Sequence, residues 1–175
     1  MAADNKRSDM GGHKEVAMTA SSLLSQLPGT WTGRSRLFLP QDKTFSSTTE
    51  ATITAIAQDR FLHLAYSWSM EEKPQNGLLI FPSDPDTAAD QSVWIDSWHM
   101  QAAIMVCKTR YKGHAIILDG SYAAPPGPDW GWRIQIAVGV TQGLRLRMFN
   151  IPPGGQEILA VDAAYGPAER PGRSV

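Results

Sequence analysis

The run from Trp130 to Val140 constrains the fold more than any other part of this chain. Trp130, Trp132, Ile134, Ile136, Val138 and Val140 take every second position, with Gly131, Arg133, Gln135, Ala137 and Gly139 between them. Strand side chains alternate with a period of two, so the segment has one large apolar face and one face of small or polar groups. The same two-faced pattern recurs along most of the chain, with no convincing helix between repeats. It predicts strands over 31–39, 48–57, 60–70, 76–82, 92–99, 103–110, 113–122, 130–140, 143–149 and 156–165.

The separators are turn-forming: Pro40 to Asp42, Gln58-Asp59, Pro74 to Gly77, Pro82 to Asp86, Lys112-Gly113, Pro125 to Pro128, Gln142-Gly143 and Pro152 to Gly155. Glycine, proline and asparagine supply the backbone angles that reverse a strand. Short strands joined by short reversals form an antiparallel meander. So many twisted strands rarely stay open, because free edges invite pairing with other chains. The expected fold is all-β: an antiparallel up-and-down β-barrel of about ten strands, which at about eight strands or more leaves room for a cavity. A two-sheet sandwich is the competitor, but it needs longer crossovers than the one candidate at 82–91.

At 175 residues the chain forms one domain with a sizeable core. The expected organisation is a disordered tail over 1–19, the barrel over 20–165 and a loose tail over 166–175. Ala20 to Gly29 can make one or two helical turns, capped by Ser21 or Ser22 and stopped by Pro28-Gly29. The 16 basic and 17 acidic residues leave a net charge of −1 and no basic stripe beyond Arg145 and Arg147, which argues against nucleic acid as a partner. No apolar run reaches the roughly eighteen residues of a membrane span, and the polar opening does not resemble a signal peptide. Cys107 is the only cysteine, so no internal disulfide forms. The expected location is the cytoplasm. Cys107 lies in the apolar stretch Ile104 to Lys108, as a buried and inert thiol would.

Parity sorts the candidate contacts. Tyr66, Trp68 and Met70 share a face of one strand, and Trp94, Asp96 and Trp98 share a face of another. His114, Ile116, Leu118, Gly120 and Tyr122 share a third. Tryptophan and tyrosine offer large contact areas with a polar handle. Arg145 and Arg147 alternate with Leu144, Leu146 and Met148; facing inward, an arginine would fix an anionic head group. His63, His99 and His114 lie on different strands without metal-ligand spacing, and His13 sits in the opening tail, so no metal site is expected. Strict alternation sends Asp96 and His99 to opposite faces, and it leaves Ser97 and His99 about 7 Å apart. No nucleophile elbow, phosphate loop, dinucleotide fingerprint, zinc-protease or cysteine-pair motif occurs. No catalytic residue is therefore assigned.

Leu27 to Gly33, with Gly29-Thr30-Trp31 at its centre, resembles the opening of the calycin superfamily, which includes lipocalins, fatty-acid-binding proteins and nitrobindins. With Val93 to Trp98 it looks like the bacterial calycin-like domains of unknown function over residues 23–165. The resemblance implies that Trp31 plugs one barrel end and stacks on an arginine from a late strand, Arg145 or Arg147. Nitrobindin-like proteins hold haem through a histidine near the carboxy terminus. This chain has none after His114, so haem does not carry over and no cofactor is expected.

The leading expectation is a protein that binds a small apolar or amphiphilic molecule in the barrel, contacted by Tyr66, Trp68, Asp96, Trp98, His114 and Arg147, with Trp31 and Arg145 as the plug. One rival is a small-molecule isomerase or hydrolase pairing His99 or His114 with Asp96 or Asp119. Another is a filled barrel that works as a homodimerisation or interaction module through exposed tryptophans such as Trp130.

Overall fold

The computed structural model describes residues 20–139 and 143–168. The expected tail over 1–19 with His13, together with Val140 and Gln142 and most of the expected tail over 166–175, lie outside the described residues. A short helix, α1 (Ala20–Gln26), precedes ten strands: β1 (Gly29–Leu39), β2 (Lys43–Ile56), β3 (Phe61–Met70), β4 (Lys73–Pro82), β5 (Gln91–Asp96), β6 (Met105–Lys112), β7 (Ala115–Tyr122), β8 (Trp130–Val138), β9 (Leu144–Ile151) and β10 (Ile158–Pro167). Each strand pairs antiparallel with its neighbours in sequence, and β10 closes the sheet onto β1 through pairs from Trp31↔Pro167 to Leu37↔Val161. The structure is thus a closed ten-stranded barrel. Closure satisfies both edges that an open meander would expose.

Alternation decides what fills it. The inward residues include Leu64, Leu79, Trp94, Ile116, Leu118, Ile134, Ile136, Leu144 and Leu146, all essentially inaccessible to solvent. In β9 the same parity turns Arg145 and Arg147 outward. Arg145 donates through Nε and Nη2 to the Asp162 carboxylate at 2.7 and 2.8 Å, and Arg147 lies over the Phe149 ring. Arg145 therefore does not stack on Trp31 as the resemblance implied. The Trp31 indole instead donates to the Leu27 carbonyl at 3.0 Å, tying α1 to the first strand.

A meander places its reversals alternately at two ends. One end is closed by α1, whose Leu23 and Leu24 are buried together with the following Leu27. The opposite end carries the β1–β2, β3–β4, β5–β6, β7–β8 and β9–β10 connections and remains concave. We call it the mouth.

Three local readings change. The β3–β4 reversal is at Glu71-Glu72, both with positive φ, and Pro74 to Gly77 belongs to β4. Strand β5 ends at Asp96 instead of continuing to residue 99. Strand β10 runs to Pro167, and the Ala168 amide donates to the Thr30 carbonyl at 2.9 Å.

Candidate functional site

Asp96 is the last residue of β5 and is almost fully buried, with 1% of its surface accessible. Beyond it the chain leaves the sheet in a tight turn in which the Met100 amide donates to the Asp96 carbonyl at 3.0 Å. The carboxylate caps that turn itself. Oδ1 accepts the Trp98 and His99 amides, each at 2.9 Å, in the way short acidic side chains stabilise reversals. The turn breaks strand parity and swings the His99 ring back, so that Nδ1 lies 3.0 Å from the same Oδ1. The opposite-face expectation for Asp96 and His99 is therefore corrected: it assumed a strand that persists through residue 99.

The second oxygen is equally occupied. Oδ2 accepts the Tyr66 hydroxyl at 2.8 Å and the Trp68 indole at 3.3 Å, and the Tyr66 oxygen accepts the Trp94 indole at 2.9 Å. Burial alone would raise the Asp96 pKa. The His99 ring and amide, with the Tyr66 hydroxyl, outweigh that effect and hold the carboxyl below its usual range. Tyr66 moves the other way. Burial, then the neighbouring Asp96 charge, push its phenol well above its ordinary value, so it stays protonated as a donor.

Four indoles surround the His99 ring. Centroid distances are 4.7 Å to Trp98, 5.4 Å to Trp132, 5.6 Å to Trp94 and 5.7 Å to Trp68. Trp94 and Trp132 stack at 5.2 Å and 10°. Within this cage His99 Nε2 and Trp132 Nε1 are buried and have no hydrogen-bond partner among the described residues.

His99 also separates two spaces. Below it, a gap bounded by Tyr66, Trp68, Thr49, Met148 and Tyr165 measures about 10 Å³, no more than one water occupies. Above it the mouth opens into a cavity of about 620 Å³ lined by Leu37, Leu39, Trp94, Trp98, Met100, Met105 and Trp132, with Tyr122 and Asn150 at the rim. That volume lies within the range of small-molecule sites.

Residues 18–166 match the model of a family described as "Protein of unknown function (DUF1579)". The chain belongs to this family. No curated protein matches it. Among solved structures it is similar to Rv2717c from M. tuberculosis, with 16% identity and a TM-score of 0.54 over 86% of this chain and 98% of that one. At such low identity the likeness concerns the fold alone.

In this DUF1579 member the expected contact residues divide. Tyr66, Trp68, Asp96 and Trp98 converge around His99. His114 does not join them: it is exposed in the β6–β7 reversal, at the end of the barrel away from the mouth, on an outer surface with Arg110, Lys112 and Glu157. Arg147 points outward as well, so neither reaches the cavity. Asp119 is also outside, bonded to Arg110 and Arg133. Trp130 is half-buried beside Tyr122, at 6.5 Å between centroids. Sequence reasoning left His99 out of the leading contact set and named it only in the rival His–Asp pairing, of which the structure brings His99 and Asp96 together; it missed Trp132 as a cavity residue. The available signal for His99 was an aspartate able to end a strand by capping its own turn. Trp132 already stood on the apolar face of the opening motif. Among the described residues no three His, Cys, Asp or Glu side chains form a metal-sized cluster, and no helix is long and apolar enough to cross a membrane.

Proposed function

We propose that the protein binds a small, largely apolar molecule in the mouth of the barrel, with its polar end directed at His99. The observation that carries this reading is the mouth cavity of about 620 Å³, walled by indole and thioether side chains and floored in part by the His99 side chain. Burying a ligand's apolar body against Trp94, Trp98, Met100 and Met105 supplies most of the affinity, and a few placed polar groups fix its orientation. The resemblance of Gly29-Thr30-Trp31 to the calycin opening is in keeping with a barrel that carries such a molecule. The test is native mass spectrometry of protein freshly purified from cells, with extraction of bound small molecules. Co-purified mass that Trp98→Ala diminishes supports the proposal. A clean apo mass, together with unchanged tryptophan fluorescence across apolar ligands of 10–20 heavy atoms (a size range on the order of the cavity), overturns it.

A second reading is favoured by the 3.0 Å contact between His99 Nδ1 and Asp96. A carboxylate that fixes one imidazole nitrogen leaves the other available for proton transfer, as a general acid or base requires. That reading predicts a chemically altered molecule after incubation with the protein, and pure binding predicts recovery of the molecule unchanged.

A further inference from the structure

The outer wall of the barrel is charged unevenly. Strand β6 turns Lys108, Arg110 and Lys112 outward, and β9 does the same with Arg145 and Arg147. Arg133 lies between them on β8, and β1 adds Arg34 and Arg36 on the far side of β10. The remaining lysines and arginines among the described residues are Lys43, Arg60 and Lys73. Against these eight cations, the half of the wall from β6 round to β1 holds four carboxylates: Asp119, Glu157 and Asp162, with Asp129 at its mouth edge. A chain of net charge −1 thus carries a local excess of four positive charges, eight against four. No strand supplies more than three of them, at alternate positions, so no run of sequence displays the patch.

Arg36 and Arg145 share Asp162, and Arg110 and Arg133 share Asp119. Lys108, Lys112 and Arg34 have no ion pair among the described residues, and Arg147 only lies over the Phe149 ring. Strand register shapes the centre of the patch. Lys112 is followed across the sheet by Ala115, Ala137 and Arg145, and Arg110 by Ile117, Gln135 and Arg147. Long cations therefore stand on β6 and β9, and shorter uncharged side chains on β7 and β8 lie between them. The hollow above this floor measures about 570 Å³, with Arg110, Lys112, His114 and Arg133 at its sides. The rows on β6 and β9 are three strand spacings apart, about 14 Å along the wall.

We propose that this hollow docks an acidic segment of another protein, lying extended along β7 and β8. Outward cations on one strand recur at about 7 Å, and so do alternate side chains of an extended peptide. Consecutive Asp or Glu residues therefore send carboxylates in turn to the β6 row and the β9 row. Arginine forks and lysine ammoniums meet them with charge-assisted hydrogen bonds. Such contacts form within the screening length of about 8 Å at physiological salt, so the local excess governs them and not the net charge. Nucleic acid suits the wall less. Unpaired bases dock on open aromatic faces, and here the Phe38 and Phe149 rings lie under Arg36 and Arg147. The floor itself, Ala115, Ile117, Gln135 and Ala137, offers no ring to stack on.

Fluorescence anisotropy on the full chain at pH 7.5 tests this with three labelled probes: hexaglutamate, hexaglutamine and a six-nucleotide oligothymidylate. We expect hexaglutamate to bind, hexaglutamine not to bind, and the hexaglutamate affinity to fall several-fold between about 50 and 300 mM salt as screening grows. Lys112→Glu combined with Arg147→Glu breaks no ion pair and should weaken hexaglutamate about tenfold or more. Lys43→Glu combined with Lys73→Glu makes the same change in net charge at the starts of β2 and β4, away from the hollow, and should leave the affinity within about twofold. Equal losses in the two pairs would assign the attraction to overall charge and overturn the site. Tighter binding of the oligothymidylate overturns the acidic-peptide assignment, as does equal binding of hexaglutamine. No binding of hexaglutamate at millimolar concentration and low salt overturns the proposal outright. The comparison of the three probes on the wild type decides the matter even if a variant fails to fold. The hollow lies outside the mouth, so none of these results bears on the ligand reading above.

Discussion

Tyr66 on β3 reaches Asp96 on β5 across Gly77, the residue of the intervening strand that pairs with both. The Tyr66 hydroxyl meets Asp96 Oδ2 at 2.8 Å only because its ring lies over a position without a side chain. A β-carbon at Gly77 would stand 2.5 Å from Tyr66 Cε1 and closer still to the end of the ring. Gly77 is thus an opening in the wall through which two strands that are not neighbours in the sheet share a hydrogen bond.

Gly77→Ala should therefore displace the ring and break its contact with the carboxylate. The expected loss is about 2–4 kcal/mol, the sum of an overpacked site and a buried hydrogen bond. Urea unfolding measures it. The diagnostic result is non-additivity: in a Tyr66→Ala background the same Gly77→Ala change should cost much less, because the obstructing ring is gone. Full additivity would show that the ring does not occupy that space.

Asp96→Asn preserves shape but replaces one acceptor oxygen with a donor NH2. Among the described residues every hydrogen-bond partner of the ionised carboxylate donates to it, so either the Tyr66 and Trp68 pair or the turn amides and His99 must then face a donor. The expected cost at pH 7 is about 3 kcal/mol or more. The pH dependence has a definite sign. Asp96 is held low by bonds that outweigh its burial, and Asp162 is held low first by Arg145, against burial, and then by Arg36. A depressed folded pKa stabilises above the unfolded value near about 3.9, and that contribution disappears as the pH falls through the folded value. Urea midpoints for the wild type should drop steeply below about pH 4, where the unfolded carboxyls begin to protonate. Asp96→Asn should show a shallower acid limb.

The barrel was legible because its pattern is redundant. Each of Trp132, Ile134, Ile136 and Val138 repeats the same inward parity, and all ten strands follow from such repeats and the turns between them. The site was less legible because it is built where parity fails. His99 lies beyond the end of β5, and its direction comes from a turn that Asp96 caps with its own carboxylate, a three-dimensional effect that alternation does not carry. Gly77 misled for a related reason. In Pro74-Gln75-Asn76-Gly77 it has the look of a reversal, yet its glycine answers to a ring from the neighbouring strand, and the chain instead reverses at Glu71-Glu72. The outward direction of Arg145 and Arg147 was available from their alternation with Leu144, Leu146 and Met148, had β9 been given a definite inner face.

The alkaline limb should be governed by buried phenols. Burial pushes Tyr165 up to about 12, against the weaker opposing effect of its bond to Thr49, and Tyr66 is also raised well above its ordinary value. A phenol whose folded pKa is raised stabilises fully below the unfolded value of about 10 and loses that contribution as the pH climbs toward the folded value. Stability should therefore begin to fall above about pH 10, where unfolded tyrosines ionise first. Tyr165→Phe should flatten this limb, with a loss at pH 7 of about 1 kcal/mol from the missing bond to Thr49. Circular dichroism melts between pH 8 and 11 would reveal a flat profile if these rings were solvated.

The two ends of the barrel should separate stability from binding. At the closed end, Leu27 is fully buried and its carbonyl receives the Trp31 indole at 3.0 Å. Leu27→Ala removes a packed side chain from beneath α1 and should cost about 2–5 kcal/mol. It lies outside the set that lines the mouth, so a protein still folded at 10 °C should bind a small apolar ligand as the wild type does. At the mouth, Trp98 is only half-buried and meets the edges of Trp68 and His99 at 5.9 and 4.7 Å. Trp98→Ala should cost less stability, about 1–2 kcal/mol, because much of its surface already meets solvent. It should nevertheless weaken binding about tenfold or more by removing a wall of the cavity and loosening the His99 ring. Titration calorimetry paired with urea unfolding on the two variants checks the crossover. A mouth variant that destabilises strongly but binds normally would place the ligand elsewhere in the barrel.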